Sequence, residues 1–199
     1  MDNPVDLAAP ETTQCLHEAT RWRMLGLLFS CPDPEWREQL AALAASTADD
    51  LLRRAVAAAG PQADPGTYHT IFGPGGPASP REVSYRRASF SGRFLAELRD
   101  VYAAFAYDAS STGETPDHVA TQADFVGYLR LKEAYARGRG EEEQADLAAR
   151  TARRIIDDHL AWIAEPLAGT LQSLGVEYLA LAAQALYERV GPAPPPCPP

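Results

Sequence analysis

Apolar residues recur every three or four positions along almost the whole chain, and no segment alternates convincingly with period two. From Thr13 to Phe29, Leu16, Ala19, Met24, Leu27 and Leu28 fall near a 3.6-residue period, with Trp22 and Leu25 widening the stripe, which predicts a substantially buried helix. It stops at Cys31-Pro32-Asp33-Pro34, where two prolines remove donors and push their predecessors out of the α region. Two alanine-rich helices are expected next, Glu35 to Ala45 and Ala48 to Ala59, the second ended by Gly60-Pro61. Phe72-Gly73-Pro74-Gly75-Gly76-Pro77-Ala78-Ser79-Pro80 reads as a loop between helices. Beyond it Phe90, Phe94, Leu98, Val101, Tyr102 and Phe105 mark a long helix with an aromatic stripe.

Tyr107 to Thr115 reads as a polar loop, followed by a helix start at Thr115-Pro116-Asp117-His118. Threonine can cap, proline suits the first helical position, and Asp117 stands where the macrodipole favours an anion. That helix should run to about Arg137 and break at Gly138-Arg139-Gly140. Glu141 to Ile163 is amphipathic, acidic at its start and arginine-bearing later; Pro166 is expected to begin another helix, and Val176 to Val190 a last one. The expected fold is all-α, a single-domain bundle of about seven to nine helices over residues 1–191. The proline-rich tail, 192–199, would be polyproline II or disordered.

Composition narrows what such a bundle can do. With 46% hydrophobic and 23% charged residues the chain should fold. A formal net charge of -9 repels phosphate backbones and attracts cationic partners, which makes nucleic acid an unsuitable ligand. Cys15, Cys31 and Cys197 are odd in number and widely spaced, the usage of a reducing compartment. Without a basic segment leading into an apolar one at the start, or an apolar run long enough for a membrane, the expected location is the cytoplasm.

Familiar catalytic patterns are missing. The Gly73-Pro74-Gly75-Gly76 run lacks the Gly-Lys-Ser/Thr ending of a P-loop, the four histidines are scattered, and neither H-E-x-x-H nor Gly-x-Ser-x-Gly occurs. Asp117-His118 is the pair that stands out. A carboxylate beside an imidazole could do acid–base work or bind a guanidinium, or Asp117 could simply complement the dipole while His118 closes the first turn. Tyr68, Ile71, Phe72 and Tyr85 could anchor a docking rim around the glycine-rich loop, or pack its flanks into the core. His159 and Trp162, three apart on one helix face, read as core.

These segments together resemble the TorD/DmsD/NarJ family of redox-enzyme maturation chaperones. Tyr68-His69-Thr70-Ile71-Phe72 running through the loop to Pro80-Arg81-Glu82-Val83-Ser84-Tyr85 is similar to the family's Y-x-x-L-F and P-x-E-S-x-Y elements. Glu114-Thr115-Pro116-Asp117-His118-Val119 is similar to its E-x-P-D-H signature, and His159-Leu160-Ala161-Trp162 to its late H-L-x-x-W segment. The chain departs at Ser84, which follows Val83 where the family has serine first, and at Asp124, where glutamate is usual.

The resemblance implies a chaperone without catalysis, cofactor or metal. Its partner would be the apo catalytic subunit of a molybdopterin oxidoreductase, held competent for cofactor insertion and kept from premature export through its twin-arginine signal region. Tyr68, Ile71, Phe72, Glu82, Tyr85, Pro116, Asp117 and His118 would line or order the client-peptide groove, in a chain expected to be a monomer. The glycine-rich loop looks like that of delta-type chaperones of respiratory molybdoenzymes. Two other functions compete: a small nucleotide-binding enzyme using the loop and Asp117/His118, and a permanent structural subunit of a redox complex.

Overall fold

The computed structural model describes residues 5–86 and 91–192, and nine α-helical segments run through them. They are α1 (Pro10–Leu28), α2 (Trp36–Ala45), α3 (Asp50–Gln62), α4 (Pro65–Phe72), α5 (Ser91–Ala104), α6 (Val119–Arg139), α7 (Glu142–Ile155), α8 (Ala161–Gln172) and α9 (Glu177–Val190). The fold is all-α. Residues 193–199, which include most of the proline-rich tail and Cys197, lie outside the described residues, as does Phe90.

α1 and α6 form the centre. Gly26 on α1 lies against Ala120 and Asp124, and Gly127 on α6 lies against Ala19 and Arg23, so the two helices run antiparallel with their backbones in close approach. A Cβ on Gly127 would stand 3.1 Å from the Ala19 carbonyl oxygen, nearer than almost any real contact. Trp22, Leu25 and Leu28 of α1 and Val119, Phe125, Val126 and Leu129 of α6 are buried, and the core they start continues through α3, α8 and α9 without interruption. α6 shows little amphipathic contrast because residues 119–127 are buried on every side, while farther along Leu131 and Tyr135 are exposed.

Several sequence expectations need correction. α3 does not stop at Gly60-Pro61 but continues to Gln62; the Arg37 guanidinium donates to the Gly60 and Ala63 carbonyls, which stand at the helix end without donors from a following turn. Tyr68, Ile71 and Phe72, read as part of a loop, lie on α4. That short helix is capped by Asp64, which accepts from the Thr67 amide at 3.0 Å, and has Pro65 at its first turn. Pro166 does not begin a helix either and lies inside α8. The irregularity falls upstream, in a π-helical turn, Ile156–Leu160, that joins α7 to α8.

The expected helix start at Thr115-Pro116 is also displaced. α6 begins at Val119, and its cap is His118, whose Nδ1 accepts from the Ala120 amide at 3.1 Å. The residues ahead of it form a turn, with the His118 amide donating to the Thr115 carbonyl, and another part of the chain holds that turn in place. Arg81 and His118 form an isolated antiparallel bridge, with the Glu82 amide donating to the Asp117 carbonyl at 2.9 Å and the Val119 amide to the Pro80 carbonyl at 2.8 Å.

Candidate functional site

That backbone bridge fastens the loop after α4 to the start of α6, and the Asp117 side chain locks it. Asp117 is fully buried, and Arg81 reaches it with Nε at 3.1 Å and Nη2 at 3.0 Å from Oδ1. The Thr115 hydroxyl donates to Oδ1 at 2.8 Å and the Val83 amide to Oδ2 at 3.3 Å, so the carboxylate is charged, paired and satisfied. Gly75, at φ +81, turns the loop, and a side chain on Gly76 would collide with the Ile71 carbonyl.

His118 begins a second chain of contacts. Since Nδ1 accepts from the Ala120 amide, the ring proton sits on Nε2, which lies 3.2 Å from the Tyr68 hydroxyl oxygen. Tyr68 in turn donates to Glu114 Oε1 at 2.6 Å. Burial, helped by the Arg81 cation, pushes the His118 imidazole down to about 3 against the pull of Asp117, which keeps the ring neutral. Burial and the Glu114 carboxylate push the Tyr68 phenol up, so it stays a donor.

Glu82 organises the far end of the same loop. Fully buried, it receives Arg86 Nε on Oε1, Gln122 Nε2 at 2.6 Å on Oε2, and His159 Nδ1 at 3.1 Å. Arg86 is stacked between the rings of Phe94 and Trp162 and donates to the Asp158 carbonyl. The π turn that carries Asp158 and His159 therefore meets the loop from the opposite side. His159 is buried, as the sequence suggests, but its packing serves this junction.

Between α4, the glycine- and proline-rich loop and residues 113–115 there remains a cleft of about 670 Å³, walled by Tyr68, Phe72, Pro74, Ala78 and Pro80 with Glu114 on its rim. Arg81 also lines it but is engaged by Asp117. A second, more apolar hollow of about 550 Å³ lies between α1 and α6, where Arg23 and Asp124 pair with each other. Of the residues expected to form the client-peptide groove, none lines this one. The described residues hold no group of three or more His, Cys, Asp or Glu side chains able to bind a metal, and no helix among them is long and apolar enough to cross a membrane.

Residues 31–168, more than half of the chain, match the sequence model of the nitrate reductase delta subunit family. The chain belongs to this family. Nitrate reductase delta family members are chaperones of molybdoenzyme maturation, and they bind molybdoenzyme catalytic subunits. No curated protein and no solved structure matches the chain. The matched range contains α4, the loop, the 114–118 segment and the π turn, so the cleft and its supports lie within the part shared with the delta subunit family.

The structure brings the marked residues together in two roles. Tyr68 and Phe72 face the cleft, whereas Ile71 points into the core. Asp117 and Glu82 are too buried to meet a ligand and order the loop instead. Tyr85 donates to the Ser79 carbonyl at 2.7 Å, and the Pro116 carbonyl accepts from Tyr102 at 2.8 Å. Sequence reasoning missed Arg81, Arg86 and Gln122 as the partners of those carboxylates, and Glu114 as the charged group on the rim. Glu114 stood inside the quoted signature, but no local pattern distinguishes it from a solvated glutamate.

Proposed function

We propose that this delta-family chain holds the apo catalytic subunit of a molybdopterin oxidoreductase through the α4–loop–α6 cleft, with the N-terminal signal region of that subunit as the segment received. The observation that carries this reading is the construction of the cleft. Two buried carboxylates, each bonded to an arginine, fix a glycine-rich loop beside α4, and so maintain an open slot where the apolar surfaces of Tyr68, Phe72 and the loop prolines alternate with polar groups and Glu114 stands as the acidic one. A stretch that is cationic and then apolar complements that slot and the chain's net charge of -9.

The nucleotide-binding alternative fits this geometry poorly. The glycine-rich loop leaves the C-terminal end of α4, where the helix dipole repels phosphate, and Arg81 beside it is occupied by Asp117.

Cys31 gives a direct test of occupancy because it lies on the cleft wall, 4.0 Å from His69 Nε2. Bound catalytic subunit should slow alkylation of Cys31 by iodoacetamide several-fold, read by peptide mass spectrometry, while Cys15 on α1 keeps its rate. Equal protection of both thiols, or of neither, would place the client elsewhere.

A further inference from the structure

Glu114 is the carboxylate that lines the cleft, and the buried carboxylates behind it and in the neighbouring hollow are neutralised within the protein. Asp117 faces Arg81, Glu82 faces Arg86, and Asp124 faces Arg23. Glu114 differs. Among the described residues no arginine or lysine lies within ion-pair distance of it, and its neighbours are the Tyr68 hydroxyl at 2.6 Å and His118 Nε2 at 3.6 Å. The Glu114 side chain is 21% exposed and lines the cleft, so its charge is held at an opening and only partly hydrated.

The support behind Glu114 cannot cancel that charge. His118 must accept from the Ala120 amide through Nδ1, which fixes it as the neutral tautomer, and Tyr68 offers a hydrogen bond without a proton to give away. Tyr68 satisfies one lone pair of Oε1 and leaves the other acceptor positions of the carboxylate open to the cleft. A desolvated anion flanked by aromatic rings and waiting for a donor suits a guanidinium, which is planar, weakly hydrated and able to bond in pairs while stacking on Phe72 or His69.

We propose that Glu114 is the cation receptor of the cleft, taking the guanidinium of an arginine in the client segment while the loop and α4 cover the apolar residues beside it. The proposal rests on reading the cleft as the client site. It makes Tyr68 and His118 positioning residues for Glu114. Asp117 and Arg81 act one step further back, by holding the loop.

The test uses the full chain and two synthetic peptides by fluorescence anisotropy: one with an Arg-Arg pair followed by a run of Leu and Phe, and the same peptide with citrulline in place of arginine. The unmodified protein should prefer the arginine peptide by about tenfold or more, and the preference should weaken with added salt. Glu114→Gln keeps an acceptor for the Tyr68 hydroxyl, so the fold is preserved. It should bind both peptides with the affinity that the unmodified protein shows for the citrulline form.

An arginine preference that survives Glu114→Gln would overturn the assignment. So would equal binding of both peptides by the unmodified protein; if that binding is abolished by Phe72→Glu, the cleft remains the client site and only the role of Glu114 falls. Absence of binding by either peptide would overturn the cleft reading and the proposal together.

Discussion

The Asp117 carboxylate and the Arg81 guanidinium, 36 positions apart in sequence, meet with Nη2 3.0 Å from Oδ1, and this pair fastens the loop after α4 to the start of α6. Asp117→Ala would strip Arg81, Thr115 and the Val83 amide of one acceptor at once. Breaking a buried pair costs about 3–5 kcal/mol, but Arg81 keeps 41% side-chain exposure and can return to water. The expected loss in urea unfolding is therefore about 2–3 kcal/mol, with the helical circular dichroism retained. A loss below about 1 kcal/mol would mean that the backbone bridge alone holds the loop.

His118 makes stability depend on pH in a defined direction. Its imidazole titrates near 6.5 in an unfolded chain and is pushed down to about 3 by burial in the fold. Between those values the unfolded chain carries the extra proton, so His118 costs nothing above about pH 6.5 and lowers stability as the pH falls toward 3. The slope from this one group is at most about 1.4 kcal/mol per pH unit. Unfolding free energies measured across that range should fall less steeply for His118→Gln, by up to one proton's worth. Parallel curves for the two proteins would show that the ring is charged or solvated in the fold.

The helices were legible because core burial imposes a period that the chain cannot hide, as in Leu98 and Tyr102 on α5 or Leu25 and Leu28 on α1. α4 escaped notice because its eight residues hold too few turns to show a period, although Asp64-Pro65 is a cap signal of the usual kind. Thr115-Pro116 misled for a different reason. Its local chemistry favours a helix start, but 115–118 form a turn, the Glu82 amide donates to the Asp117 carbonyl and the Val119 amide donates to the Pro80 carbonyl, so the helix waits until His118 supplies the cap. The same limit applies to the site. Asp117 and His118 could be marked from sequence, but their partners Arg81 and Tyr68 lie 36 and 50 positions away and are assigned only by the fold.

The close approach of α1 and α6 predicts a steep response to small changes. In Gly127→Ala the new methyl would sit 3.1 Å from the Ala19 oxygen and from the Arg23 nitrogen, both backbone atoms that cannot turn aside. Overpacking of this kind costs about 1–3 kcal/mol, partly offset by about 1 kcal/mol of improved helix propensity. Net destabilisation of up to about 2 kcal/mol in urea unfolding is expected. A stabilised variant would show that the two helices can separate freely.

This member of the nitrate reductase delta family is expected to engage a catalytic subunit before its cofactor is in place. The most direct test is a pull-down with the tagged protein from extracts of its native cells, with the co-eluting chains identified by mass spectrometry and their molybdenum measured. One oxidoreductase catalytic subunit carrying much less molybdenum than the mature enzyme should co-elute. Recovery of fully loaded enzyme in a fixed ratio would contradict it and identify a permanent subunit, and recovery of no oxidoreductase would contradict the chaperone reading of this chain.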